Sequence, residues 1–376
     1  MLTIKTFVLC YVMQKRVYMF ERLKQKKKDF DDKAFMVMHC QHENASYLLQ
    51  TIPYNLIFKT THWCWNNCAH CCESSGTNMP KTFIPESVIN GYIDEAVKDK
   101  NFTREVVFTG GEITSAYRFA GRNYVRGIII HTLKAGCSID IKTNAGFVNS
   151  PLAKTVYYDI EDIVRNQFDV DTNGIKRLVP FQVSLSLDRF HRDAMERDFK
   201  FIEYFANTNI PGVAFTINVS SVYQDKSMFP ELMHKLMCSG VKVSELFLVA
   251  PHSNNAEQVH DLNGNVIIRH HCSTLFNGGR AKDMKYAQKV PFPQFNFVDP
   301  DGTALIAFDS FGNVTLGENS GKKISVPWRN NETGQPVPLQ TIRDNLIVAT
   351  KSAEQDFLKE HKKMDAYFRW ATQFVK

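Results

Sequence analysis

No stretch of the 376-residue sequence approaches the roughly 18 consecutive apolar residues that a membrane-crossing helix needs, so no membrane span is expected. A secretory signal is missing too. The apolar piece Thr6–Met13 is short, sits behind a single lysine and lacks a small-residue cleavage site. Met13 and Met19 are equally good starting points for translation. Charge of one sign is scarce: the net charge is +6, and much of it comes from the run Lys24–Lys28, which reads as a solvated arm rather than a nucleic-acid surface. Fixed-period repeats and low-complexity tracts are absent. The nine cysteines are odd in number and clumped, which argues against a secreted disulfide framework and for a reducing cytoplasm. Cys71 and Cys72, as chain neighbours, do not bridge without strain. A second C-x-x-C or H-x-x-H knuckle is lacking, Cys238 and Cys272 stand alone, and no cysteine follows Cys272.

What the chain does contain is an α/β pattern. Hydrophobic residues make up 44%, enough for a large core, and the 28 phenylalanines belong to that core. Short runs rich in Val, Ile and Phe predict strands at Asn55–Thr60, Glu105–Gly110, Ser138–Asn144, Phe181–Asp188, Val213–Ser220 and Ser244–Ala250. Helix-period segments separate them. One opens at Pro85, where a missing N–H costs nothing, and another closes on Gly136 at a C′ position. Six βα units in succession predict a parallel sheet, either a barrel or a doubly wound sheet. Residues 1–50 have no assignable pattern. After Pro251 the pattern changes: the Asp301–Gly302 and Gly312–Asn313 turns predict one or two β-hairpins, and Gln355–Phe374 predicts a closing amphipathic helix.

The chemistry concentrates in CWNNCAHCCESSG, Cys64–Gly76, on the loop after the first strand. In a parallel barrel that loop opens on the face where active sites are built. Cys64, Cys68 and Cys71, spaced C-x3-C-x2-C, can hold three irons of a four-iron cluster and leave one iron open. Zinc is the alternative, with those three cysteines plus His70 or Cys72. Cys72 otherwise reads as a packed small residue, as does Cys137. The second strand ends FTGGE: Gly110 and Gly111 permit close backbone approach to a ligand, and Glu112 suits an ammonium group. The plain reading of Gly110–Gly111 is a tight βα turn.

Together, CxxxCxxC after the first strand and GGE after the second resemble the radical S-adenosylmethionine superfamily. The resemblance runs from about Asn55 to Ala281. KTNA at Lys142–Ala145, SLSLDRFH at Ser184–His191, TINVS at Thr216–Ser220 and NGGRA at Asn277–Ala281 follow in the family's order. It implies a partial (βα)6 TIM-type barrel over residues 51–281, with a small C-terminal β-hairpin and helix extension over 282–376. That extension resembles a SPASM or twitch domain of the peptide-modifying branch. Leu316–Gly317 stand where an auxiliary-cluster cysteine is expected, so an auxiliary cluster is not.

The resemblance further implies that Cys64, Cys68 and Cys71 hold a [4Fe–4S] cluster and that S-adenosylmethionine chelates the open iron. Gly110, Gly111 and Glu112 would line its methionine end, and His70 would lie beside adenine. Asn144, Ser186, Asp188 and Asn218 are candidates for ribose, carboxylate or substrate contacts. The implied substrate is a peptide, a protein side chain or another sizeable molecule, and the implied electron donor is a flavodoxin or ferredoxin. The other readings are a radical enzyme of small molecules and a non-catalytic iron–sulfur or zinc protein. Cys272 is a candidate hydrogen donor to a substrate radical, against a plain buried cysteine; His270 and His271 read as a solvent- or substrate-facing loop, and Arg280 as a loop support or a ligand contact.

Overall fold

The computed structural model describes residues 53–166, 169–170, 176–177, 180–208, 215–249, 257–273, 280, 303–316, 324–350 and 352. All of them belong to the second of the chain's two compact units, Ile52–Lys376. Residues 1–50, the Asp301–Gly302 turn, the closing helix at Gln355–Phe374 and most of NGGRA lie outside the described residues.

The first strand, β1 (Tyr54–Thr61), is buried at all eight positions. Such a continuous run is the signature of a central strand covered on both faces, where alternation is lost. Helix α1 (Glu86–Ala96) follows, starting after Pro85 and burying Ile89, Tyr92, Ile93 and Ala96 as one stripe. The succession continues with β2 (Phe102–Gly110), α2 (Arg122–Lys134), β3 (Ser138–Thr143) and α3 (Ala153–Asn166). Then come β4 (Phe181–Ser186), α4 (Ala194–Asn207), β5 (Phe215–Val222) and α5 (Met228–Cys238). Gly136, just past α2, has φ +71°, as its predicted C′ position requires.

The sixth predicted strand sits elsewhere than expected. Ser244–Ala250 falls in β6 (Val243–Val249), which lies at the far edge of the sheet rather than beside β5. The place beside β5 is taken by β8 (Val266–Ser273), after a meander through β7 (Glu257–Leu262). The cause is the Asn263–Gly264 pair. Both residues have positive φ, +56° and +73°, which closes the three-residue loop Asn263–Asn265 between the paired Leu262 and Val266 and returns the chain against β5. His270 and His271 are therefore strand residues, not loop.

On the other side, β9 (Ala304–Asp309) pairs in parallel with β1, and β10 (Asn313–Leu316) and β11 (Ile324–Pro327) follow antiparallel. The hairpin predicted at Gly312–Asn313 is β9–β10, and it extends the same sheet. The result is an eleven-stranded mixed sheet in the order β11-β10-β9-β1-β2-β3-β4-β5-β8-β7-β6, parallel from β9 to β8 and antiparallel at both ends. The α/β class and the parallel succession agree with the sequence reading.

The two faces differ chemically. One packs on helices: Phe205 of α4 meets Phe215 of β5, Phe229 of α5 stacks on His270 of β8, and Tyr92 of α1 meets Phe308 of β9. The opposite face has an apolar pad of Ile57, Val107 and Ala307, then turns polar from β3 to β8. Ser184 donates to Asp140 at 2.6 Å, Asn218 donates to Ser184 at 3.3 Å, and Ser220 lies 3.0 Å from His271. A sheet face lined this way is suited to a polar ligand rather than to a dry core.

Candidate functional site

The cysteine loop leaves the C-terminal end of β1 and is fastened at its neck. Cys64 N donates to Gly76 O at 3.2 Å, and Gly76 N returns to His62 O at 3.2 Å. Arg280 braces it from outside: its backbone N donates to Cys71 O at 3.0 Å, Nε to Cys68 O at 2.9 Å and Nη2 to Ser75 O at 2.7 Å. Of the two roles open to Arg280, these bonds are those of loop support.

The glycines of FTGGE bring β2 against this loop. Gly111 N donates to Thr61 O at 2.6 Å and Glu112 N to Trp63 O at 2.9 Å. A Cβ at Gly110 would lie 2.3 Å from Thr61 O, and one at Gly111 only 2.1 Å from Trp63 O. Gly110 also has φ +120°, where a side chain is strained. The close approach that demands glycine is therefore to the chain's own cysteine loop.

Glu112 is fully buried and ties two loops together. Its Oε1 accepts from Thr114 N at 3.0 Å, Thr114 Oγ1 at 2.7 Å and Thr143 Oγ1 at 2.7 Å; its Oε2 accepts from Asn144 N at 2.9 Å. Four donors on one carboxylate satisfy it without any ligand. Its negative charge is felt next door: burial first, and Glu112 second, push the Cys64 thiol up to about 12. Burial and the Asp188 charge push Cys68 up to about 11, against the opposing charges of Arg280 and Arg197.

Asp188, just past β4, organises the far wall. Its Oδ1 accepts from Phe190 N at 2.9 Å and His191 N at 3.0 Å; its Oδ2 lies 2.8 Å from His191 Nδ1 and 3.5 Å from His70 Nε2. Burial alone would raise its carboxyl, but the bonds from His191 and His70 and their charge outweigh that and hold it well below the usual range. His70 packs between Phe190 and His191, each ring centroid 4.8 Å away.

Cys64, Cys68, Cys71, His70, Gly110, Gly111, Asn144 and Ser186 line one cavity of about 280 Å³. Glu112 and Asp188 stand behind its walls. Asn218 lies one strand beyond Ser184, bonded to it and 3.2 Å from His271 Nδ1. Cys272 follows His271 in β8 and so projects to the helix-covered face, 3.9 Å from His270 Nε2. Sequence reasoning missed the Lys59–Glu73 ion pair at 2.7 Å, which also lines the cavity, and His191. The period-2 alternation Asn55, Ile57, Lys59 would have placed Lys59 on the inner face.

Three cysteine thiols on one cavity are the donor type that iron–sulfur clusters take. A tetrahedral zinc with Zn–S near 2.3 Å needs its ligand atoms within about 4 Å of one another. Among the described residues, the ligand set within 4.8 Å is Cys68, His70 and His191. Cys64 and Cys71 line the same cavity.

No family model matches the chain, and no curated protein matches it. Among solved structures it is similar to Streptococcus suis SuiB bound to S-adenosylmethionine, at 10% identity and TM-score 0.35, covering 70% of this chain and 60% of SuiB. SuiB bound to precursor peptide SuiA gives 12% identity and TM-score 0.38, covering 79% of this chain and 65% of SuiB. Native anSMEcpe with bound AdoMet gives 12% identity and TM-score 0.39, covering 72% of this chain and 77% of anSMEcpe. The chain spans less than two thirds of SuiB, and the likeness carries no inference about chemistry. Among the described residues, no helix is long and apolar enough to cross a membrane.

Proposed function

We propose that this chain is a radical S-adenosylmethionine enzyme acting on a peptide, a protein side chain or another sizeable polar substrate. The observation that carries the reading is the convergence of Cys64, Cys68 and Cys71 with Gly110–Gly111 on one cavity at the C-terminal end of the parallel strands. A [4Fe–4S] cluster held there with S-adenosylmethionine would supply radical chemistry, a one-electron reductive cleavage of S-adenosylmethionine that leads to hydrogen-atom abstraction from substrate.

The protein's own part is holding and orientation. Cys64, Cys68 and Cys71 hold the metal, each giving up a thiol proton that burial retains in the metal-free protein for Cys64 and Cys68. Gly110 and Gly111 keep the β2 wall thin, and Glu112 keeps it rigid. Asn144 and Ser186 offer polar groups at the rim, and Asp188 fixes the His70 ring beside the cavity. Substrate would be met on the polar inner face of β3 to β8, where Asp140, Ser184, Asn218 and His271 lie. A flavodoxin or ferredoxin would supply the electron, in a reducing compartment.

One observation favours a second reading. Cys68, His70 and His191 have their ligand atoms within 4.8 Å of one another, close to the roughly 4 Å that the ligands of a single zinc ion span. Such a protein would have no use for S-adenosylmethionine. Anaerobic protein given dithionite and S-adenosylmethionine separates the two. The proposal expects 5′-deoxyadenosine, lost in Cys68→Ala. No 5′-deoxyadenosine from a chain that carries zinc would reject it.

A further inference from the structure

Resting on the reading above, we propose that Asn144 is a positioning residue that sets the reduction potential of the cluster through an N–H···S bond to Cys64. Asn144 Nδ2 lies 3.3 Å from Cys64 Sγ, and the residue is 7% exposed. Which end of the amide faces sulfur is fixed by the chain itself. Asn144 Oδ1 accepts from Gly146 N at 2.9 Å, so the NH2 end must face Cys64. That turn leaves no freedom: a Cβ at Gly146 would lie 2.8 Å from both Asn144 Oδ1 and Trp65 Cδ1. Ala145 between them is held at φ +52°, a left-handed conformation that is unfavourable for a non-glycine residue and survives only where its surroundings impose it.

What imposes it is the Glu112 carboxylate. Oε1 takes the Thr143 hydroxyl and Oε2 the Asn144 backbone N–H, while Thr143 Oγ1 accepts from Ala145 N at 3.0 Å. Glu112 thus acts on Cys64 twice and in opposite senses. Its charge lies beside the sulfur and disfavours added electron density there, while its hydrogen bonds aim an amide N–H at the same sulfur and favour it. Asn66 N adds a second donor at 3.4 Å, but from the backbone, so side-chain replacement does not remove it. The side-chain amide of Asn144 is the adjustable part. Hydrogen bonds to ligand sulfurs stabilise the reduced, more negative cluster and are a recognised control of its potential.

The test is a dithionite titration followed by electron paramagnetic resonance, on anaerobic protein carrying its cluster and without S-adenosylmethionine. Leaving out that ligand means that weakened cofactor binding cannot mimic the effect. Asn144→Leu removes the donor at similar volume. Asn144→Ser keeps an oxygen for Gly146 N but is too short to reach Cys64. Either variant is expected to favour the oxidised cluster about tenfold at fixed potential, a shift of about 59 mV to more negative values for one electron. Wild-type potential in a cluster-loaded Asn144→Ser protein would overturn the inference and leave the cluster reading standing. A wild-type chain that assembles no cluster would bring both down together. Asn144→Ser covers the case in which Asn144→Leu fails to fold.

Discussion

Replacing Glu112 with glutamine exchanges one carboxylate oxygen for an NH2 and should be costly. Four donors converge on this carboxylate: Thr114 N and both threonine hydroxyls on Oε1, and Asn144 N on Oε2. Glutamine can keep the three bonds at one oxygen. Its NH2 then faces the Asn144 N–H, donor against donor, in a site with no solvent exposure. The variant loses one charge-assisted bond, worth about 1.5–3 kcal/mol, and leaves a buried N–H unsatisfied at about 1–3 kcal/mol. The two costs overlap, because the lost bond and the orphaned donor are one interaction, so about 2–4 kcal/mol is expected. Urea denaturation of the metal-free protein measures it directly. A double-mutant cycle with Thr143→Val should show a coupling of about 0.5–3 kcal/mol, since both residues share one network. Glu112→Gln protein within about 0.5 kcal/mol of wild type would refute the role of Glu112 as the tie between the β2 and β3 loops.

Other consequences follow from the same packing. Gly111→Ala places a methyl 2.1 Å from Trp63 O, a backbone atom that cannot yield, so a loss of about 2 kcal/mol or more and poor metal loading are expected from denaturation and iron assays. Burial, with the neighbouring His271 and His260, lowers His270 to about 4, so the folded protein refuses a proton that the unfolded chain accepts. Stability should therefore rise from about pH 4 to pH 6.5 and level off above, by about 3 kcal/mol from this residue, and His270→Phe should flatten that part of the pH profile. Asp198 on α4 is fully buried with neither oxygen bonded, and burial holds its carboxyl well above the usual range. The folded protein therefore loses stability as pH rises above the unfolded value near 4, so Asp198→Asn should be more stabilising at pH 7 than at pH 3 by the same denaturation assay.

Much of the fold could be read from local pattern. The strands β1 to β5 follow apolar runs, and α1 and α2 follow their Pro85 and Gly136 punctuation. The meander was missed because β7 is mostly polar and β8 is apolar only at Val266–Ile268: HDL and RHH do not look like strand until Asn263–Gly264 is recognised as a hairpin turn. Parallel pairing of β9 with β1 joins residues some 250 apart, and no local signal encodes it. At the site, Cys64, Cys68, His70, Cys71, Gly110, Gly111, Asn144 and Ser186 line one cavity, but motif spacing did not say what each one touches. GGE suggested a ligand contact; the glycines line the cavity and also meet the cysteine loop, and the glutamate meets Thr114, Thr143 and Asn144. Asp188 was recognised, but its hold on His70 depends on His191 and on how the loop after β4 folds back.

The central claim is that the Cys64, Cys68 and Cys71 loop holds a four-iron cluster. Iron, acid-labile sulfide and zinc, measured on anaerobically purified protein beside a Cys64→Ala, Cys68→Ala, Cys71→Ala triple variant, test it most directly. The account predicts about four irons and four sulfides per chain, gone from the variant. About one zinc per chain with no sulfide, still bound after Cys64→Ala and Cys71→Ala but lost with His191→Ala, would contradict it.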